Sequence, residues 1–94
     1  MFPMAITCGN TYVLKPSERV PSAVTFMINL LNETKLPPGV VNVVQGSWET
    51  TKMICHNPDI KAISFVGGNS AGEYIYENGA KTHKRMQINV IMYV

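Results

Sequence analysis

Residues 60–72 read Ile60-Lys61-Ala62-Ile63-Ser64-Phe65-Val66-Gly67-Gly68-Asn69-Ser70-Ala71-Gly72. A short run rich in β-branched and aromatic residues gives way to a glycine pair and then to residues that suit a helix start, so the stretch reads as strand, tight turn, helix. Gly67 and Gly68 are expected to let the backbone turn sharply and approach a ligand, with Asn69 or Ser70 capping the helix that follows. The N-terminus of such a helix offers unpaired N–H groups and the positive end of its dipole, for which phosphate is the natural guest. Many α/β turns of this kind hold no ligand, so the signal needs company from the rest of the chain.

Upstream, Val40-Val41-Asn42-Val43-Val44 is nearly continuous in β-branched residues, as expected of a strand covered on both faces of a parallel sheet. Gly46 turns the chain, Ser47 can cap a short helix running through His56, and Glu49 lies near that helix's positive end. Asn57-Pro58-Asp59 breaks the helix and leads into the strand at residue 60. Earlier still, Thr11-Tyr12-Val13-Leu14 has strand composition, and Pro16 must end its ladder. Pro21 suits the first turn of a helix, where Ala23, Phe26, Met27, Leu30 and Leu31 recur at helical spacing as a core-facing stripe. Pro37-Pro38-Gly39 cannot continue that helix, which should end near Lys35. The opening segment, Met1 to Cys8, reads as the end of a helix stopped by Gly9. It has no polar face or N-terminal cap, which suggests that the chain begins partway through a larger structure.

Beyond the glycine pair, Ala71, Tyr74, Ile75 and Asn78 mark one face of a helix ending at Gly79, and a β-like run from Arg85 to Val94 closes the chain. The order is β-α-β-α-β-α-β. Right-handed crossovers turn that order into a small parallel α/β layer, the layout of a nucleotide-binding half-domain. Ligands of such sheets bind beyond the carboxyl ends of the strands, where Lys15, Glu18, Gly46, Gly67 and Gly68 all fall.

Ninety-four residues make one small domain at most, able to bury roughly 60–65% of the unfolded surface. With 46% hydrophobic and only 15% charged residues, the chain is rich in apolar groups for its size, which suggests surface meant to be covered. A net charge of +2 is too slight to imply a nucleic-acid partner. Lys81, His83, Lys84 and Arg85 lie between a predicted helix and strand and read as a solvated loop. The absence of an eighteen-residue apolar run excludes a membrane-spanning helix. Cys8 and Cys55 are too few and too far apart for a metal motif or disulfide framework, so buried reduced thiols are expected. With no signal peptide at the start, an intracellular, reducing compartment is the simplest expectation, and the sequon Asn32-Glu33-Thr34 is incidental.

Three runs carry a family resemblance. They are Gly9-Asn10-Thr11 with Lys15-Pro16-Ser17-Glu18 and Pro21; Pro38-Gly39-Val40 with Asn42, Val44 and Gly46; and His56, Pro58, Ile60, Ile63, Phe65, Gly67 and Gly72. In order and spacing the chain resembles the NAD-binding domain of aldehyde dehydrogenases up to about Val90, where the family continues with glycine and this chain reads Ile91-Met92-Tyr93-Val94. Met1-Phe2-Pro3-Met4-Ala5, Lys15-Pro16-Ser17-Glu18-Arg19 and Asp59 to Gly67 look most like the CoA-acylating methylmalonate-semialdehyde dehydrogenase subfamily. The resemblance implies an α/β fold with a partial Rossmann-like parallel sheet. Residues 1–94 would form one partial NAD-binding domain, with the catalytic domain absent.

By the same resemblance, NAD is the cofactor, with Lys15 and Glu18 holding the adenosine ribose hydroxyls and Gly67 and Gly68 facing the pyrophosphate. An ammonium donor and a carboxylate acceptor suit the first role, although a surface ion pair would use the same two residues. Where this chain has Gly68 the family usually has serine, so one side-chain hydrogen bond, roughly 0.5–1.5 kcal/mol, is lost. No catalytic residue is carried over. The family's oxyanion asparagine falls upstream of Met1 and its nucleophilic cysteine downstream of Val94, and neither Cys8 nor Cys55 matches the nucleophile. Asn89 falls near the general-base glutamate of hydrolytic members, and a missing base fits acyl transfer to CoA.

A complete enzyme of the subfamily oxidises methylmalonate or malonate semialdehyde with NAD and CoA, in valine and pyrimidine catabolism. The implied location is mitochondrial, but the chain shows no transit peptide, and a cytoplasmic location is the alternative. The fragment is expected to be inactive alone. A second reading makes it a non-catalytic product that binds a nucleotide weakly, associates with itself, or associates with a full-length relative.

Overall fold

The computed structural model describes residues 1–90; the terminal run expected through Val94 lies outside them from residue 91 on. Elements follow in the order α1 (Phe2–Thr7), β1 (Tyr12–Leu14), α2 (Pro21–Asn32), β2 (Val41–Val43), α3 (Trp48–His56), β3 (Ala62–Gly67), α4 (Asn69–Lys81) and β4 (Arg85–Val90). The chain divides into two compact units, residues 1–47 and 48–94, and each is an α/β arrangement around a pair of parallel strands.

In the first unit β1 pairs with β2, Tyr12 beside Val41 and Leu14 beside Val43. The ladder runs one bond further at each end, from Tyr12 N to Val40 O (2.7 Å) and from Val44 N to Leu14 O (3.0 Å). Gly9 ends α1 as expected. Its N–H bonds Ile6 O and that of Asn10 bonds Ala5 O, the paired carbonyl capture of a Schellman stop, with Gly9 at φ +82. Pro37-Pro38-Gly39-Val40 closes as a type II turn: Val40 N reaches Pro37 O (3.4 Å), and Gly39 takes the left-handed φ of +83 that this turn needs at its third position.

Helix α2 starts on Pro21 but stops at Asn32, short of Lys35, where Thr34 Oγ1 donates to Leu31 O (2.6 Å) and Glu33 N to Leu30 O. Its inward face also differs from the expected stripe. Ile28 is buried and Val24 and Leu31 half-buried, whereas Ala23 is exposed and Phe26, Met27 and Leu30 are 67%, 42% and 49% exposed. The helix carries no charge and is apolar on both sides, so periodicity alone has no unique inward face to choose.

In the second unit β3 and β4 pair in parallel over six residues, from Ala62 beside Arg85 to Gly67 beside Val90. The face expected on α4 is present: Ile75 is buried, and Ala71, Tyr74 and Asn78 are half-buried beside it. Gly72 and Gly79 lie on this face, buried, where a side chain would meet the strands. A methyl carbon on Gly72 would come within 3.2 Å of Val90 Cγ2 and 3.3 Å of Ile88 Cγ2, and one on Gly79 would strike the thioether of Met86. Gly79 is therefore a packing residue and not the helix stop. The stop falls four residues later, where His83 adopts φ +58, its N–H bonds Ala80 O, and Lys84 N–H bonds Gly79 O.

Lys84 overturns the reading of a solvated basic loop. It is 8% exposed, and its Nζ donates to the carbonyls of Asn57 and Ile60 (2.6 Å to the latter) in the turn between α3 and β3. Asn57 Oδ1 receives Asp59 N–H (2.8 Å), so this turn is held from both sides. Of the two thiols, Cys55 is buried as expected and Cys8 is exposed. Nor are the strands covered on both faces among the described residues. Val13 is 46% and Val66 47% exposed while their neighbours in each strand are half-buried, because helices of the described chain cover one face and the pleat sends alternate residues to the other.

Candidate functional site

Strand β3 ends on Gly67 and α4 begins on Asn69, leaving Gly68 as the sole connector. Gly68 is the helix N-cap with φ −71 and ψ 158, an extended conformation open to any residue, and Gly67 has no positive φ either. The sharp turn is real, but left-handed glycine geometry does not make it. What distinguishes the two glycines is space. A methyl carbon on Gly67 would lie 2.6 Å from Phe65 Cζ, whose ring lies against this face of the strand, whereas one on Gly68 would meet nothing within 4 Å.

The expected side-chain cap is absent. Asn69 is the first helical residue and its amide donates to Glu73 Oε1 (2.7 Å), and no side chain bonds the first-turn amides. The first bond inside the helix runs from Gly72 N to Gly68 O (3.0 Å), so the earlier N–H groups of α4 have no intrahelical acceptor. No acid occupies the first turn. A thirteen-residue helix, about 20 Å long, thus presents uncapped amides and its positive pole at an open glycine. These groups fit a phosphate: donors without side-chain competition, and no Cβ in the way.

Behind this turn, Trp48 at the start of α3 packs on Tyr74 of α4, ring centroids 4.6 Å apart and tilted by 58°. Lys52 Nζ stands 6.0 Å from the Trp48 ring and pairs with Glu49 at 3.0 Å. The aromatic pair was not singled out in the sequence; a tryptophan at the first position of a short helix was the available signal. Cys55, on the same helix, is 1% exposed, and burial raises its thiol pKa while the Lys84 ammonium pulls the other way.

The other two expected residues belong to the first unit. Lys15 follows β1 directly, is half-buried, and donates from Nζ to Pro16 O (2.9 Å). Glu18 is exposed in the turn leading to α2. The two form no ion pair with each other among the described residues. Gly67 and Gly68 are brought together at one turn, and Lys15 and Glu18 stand in one loop of the other unit. Among the described residues no group of three or more His, Cys, Asp or Glu side chains could hold a metal ion, and no helix is long and apolar enough to cross a membrane.

The aldehyde dehydrogenase family profile matches residues 1–90. The human mitochondrial methylmalonate-semialdehyde/malonate-semialdehyde dehydrogenase [acylating] is 53% identical over 90 residues, which are 96% of this chain and 17% of that protein. A crystal structure of methylmalonate-semialdehyde dehydrogenase from Oceanimonas doudoroffii superposes with a TM-score of 0.90 at 50% identity, over 94% of this chain and 18% of that one. A Sinorhizobium meliloti protein named as the same enzyme and solved in complex with NAD gives 0.90 at 44% identity, with the same coverage. The chain therefore spans about 17% of the length of the curated relatives it matches. Its α/β fold, parallel strand pairs and sequence agree along nearly the whole chain with these enzymes, and it belongs to the aldehyde dehydrogenase family.

Proposed function

We infer that residues 1–94 are a partial NAD-binding domain of a methylmalonate-semialdehyde dehydrogenase and that they hold the adenosine half of NAD. The observation that carries this reading is the uncapped, acid-free start of α4 at the open Gly68, directly after β3. The pyrophosphate is assigned to the Gly67–Gly68 turn. The ribose hydroxyls are assigned to Lys15 and Glu18, where an ammonium donates and a carboxylate accepts. The Pro16 carbonyl is a neutral partner that Lys15 can exchange for a ribose hydroxyl. NAD would supply the hydride acceptor in a complete enzyme, with CoA taking the acyl group and a mitochondrial location following from the relatives' names. The residues present here only bind and orient. None of them is assigned to catalysis or to a metal.

Ligand-detected NMR with NAD on the native chain and on Glu18→Ala tests the assignment. A clear NAD signal is expected with the native chain and a much weaker one with the variant. Equal signals would remove Glu18 from the site.

A second reading is favoured by α2. Phe26, Met27 and Leu30 form an exposed, uncharged face that suits association with a full-length relative. Co-expression with such a relative should then give co-purification that Phe26→Lys abolishes, and unchanged co-purification would exclude this face.

A further inference from the structure

Three sulfur-bearing side chains lie on one side of α1. Met1, Met4 and Cys8 are spaced i, i+3 and i+7, which an α-helix places within about 60° of one another around its axis. Cys8 N–H bonds Met4 O (3.2 Å), so the helical turn holds through Cys8. Met1, Pro3, Met4, Thr7 and Cys8 line one open concavity, where Met1 is 59% and Met4 77% exposed and Cys8 is exposed as well. The Thr7 hydroxyl is turned back onto Pro3 O (2.7 Å), and no carboxylate or imidazole lines the concavity. Its remaining side-chain donors are therefore the three sulfurs.

We propose that Met1, Met4 and Cys8 form a site for a soft monovalent cation, Cu(I). A thiolate with two thioethers is the donor set that selects Cu(I), whereas Mg²⁺ and Ca²⁺ need oxygen ligands that these side chains do not offer. Two cysteines alone make no metal motif here, and methionine sulfur is what completes the set. Helix side chains lean toward the N-terminus, so Cys8 leans over Met4 and Met4 over Met1, and the flexible methionine stems can bring their sulfurs to a common ion. On binding, Cu(I) takes the place of the Cys8 thiol proton, which passes to solvent, and the thioethers add as neutral donors with no change in oxidation state. The grouping follows from spacing inside α1 and not from either end of the chain. The cofactor reading uses none of these residues, and the site stands independently of it.

The test is anaerobic titration of Cu(I) against a chromophoric Cu(I) chelator, on the 94-residue chain and single variants, with the methionine methyl groups followed by NMR under redox-inert Ag(I). The native chain should draw a single Cu(I) from the chelator. The methyl signals of Met1 and Met4 should shift with Ag(I), while that of Met53, 71% exposed on α3, stays in place. Cys8→Ser should lose the binding, and Met1→Leu and Met4→Leu should each weaken it. Cys55→Ala should leave it unchanged, since that thiol is 1% exposed. Matching far-UV circular dichroism across the set will show that fold is not the variable. A native chain that takes no Cu(I) overturns the proposal. So does binding that is lost in Cys8→Ser but equally tight in both leucine variants, which is thiol binding alone. Binding that survives Cys8→Ser, or disappears in Cys55→Ala, overturns it as well.

Discussion

A methyl group added at Gly67 has nowhere to go, because Phe65 Cζ would stand 2.6 Å away on an aromatic ring already packed against the strand. Gly67→Ala should lower unfolding stability by about 1–3 kcal/mol, an overpacking cost. Gly68→Ser should do the reverse. The site is open, its backbone is already extended as a serine cap requires, and a hydroxyl there can bond the first-turn amides of α4, for a gain of a few tenths of a kcal/mol. Urea denaturation of both variants checks the pair, and a Gly67→Ala as stable as the native chain would contradict the packing argument. Two adjacent glycines that look alike in sequence thus do different work: one makes room for an aromatic ring, the other for a ligand or a cap. The sequence made the turn legible from the strand composition ahead of it and the helix residues behind it. It misplaced the reason, because a glycine pair reads locally as backbone freedom, whereas the ring that requires Gly67 sits two residues back on the same face.

Burial of Cys55 has a pH consequence at the same scale. A thiol whose pKa is raised in the folded chain binds its proton more tightly there than when unfolded. Its contribution is fully present below the unfolded thiol's value, near ~8.5, and is lost as pH rises through that range toward the raised folded value. Tyr12, also raised by burial, adds a loss of the same sign at higher pH. Denaturation midpoints across this range should fall with pH in the native chain and fall less steeply in Cys55→Ala. Parallel curves would remove Cys55 from the explanation.

At the scale of elements, the second unit depends on Lys84. Its ammonium satisfies two carbonyls, those of Asn57 and Ile60, in the turn that follows α3, where positive charge also suits the negative end of the helix dipole. Lys84→Met keeps most of the stem and removes the donors. It should cost about 1 kcal/mol, because the two acceptors it strands are only part-buried, with the loss visible as faster amide exchange in the 57–60 turn. A variant as stable as the native chain, with unchanged exchange, would show that water replaces the ammonium.

Lys84 was invisible to sequence reading because its partners lie 27 and 24 residues away, and a lysine among Lys81, His83 and Arg85 looks locally like surface. The inward face of α2 was missed for a related reason. With apolar residues on both sides and no charge, local pattern could not decide which side faces in. Helix α4 was legible because its outer face carries Glu73 and Glu77, which left one apolar stripe. Even there the stop was read too early at Gly79, since a glycine needed for contact with Met86 looks in sequence like a glycine needed for a turn.

For the whole molecule, the proposal that the chain holds only the adenosine half of NAD predicts that it performs no turnover alone. A dehydrogenase needs nucleophile, oxyanion donors and nicotinamide aligned in one cleft within a fraction of an ångström, and residues assigned here to adenosine supply none of these. Cys55 is enclosed with a raised pKa, and the exposed Cys8 would form adducts without turning over. Incubation with methylmalonate semialdehyde or propanal, NAD and CoA should give no sustained NADH formation. Turnover that disappears in Cys8→Ala or Cys55→Ala would place a nucleophile where none is assigned.

Adenosine-side binding is read directly by a saturation-transfer NMR map of NAD on the 94-residue chain, proton by proton. Enhancement is expected on the adenine and adenosine-ribose protons and little on the nicotinamide protons, since the glycine turn, Lys15 and Glu18 are all proposed to face the adenosine side. Enhancement spread equally over both ends, or none on either, would contradict it.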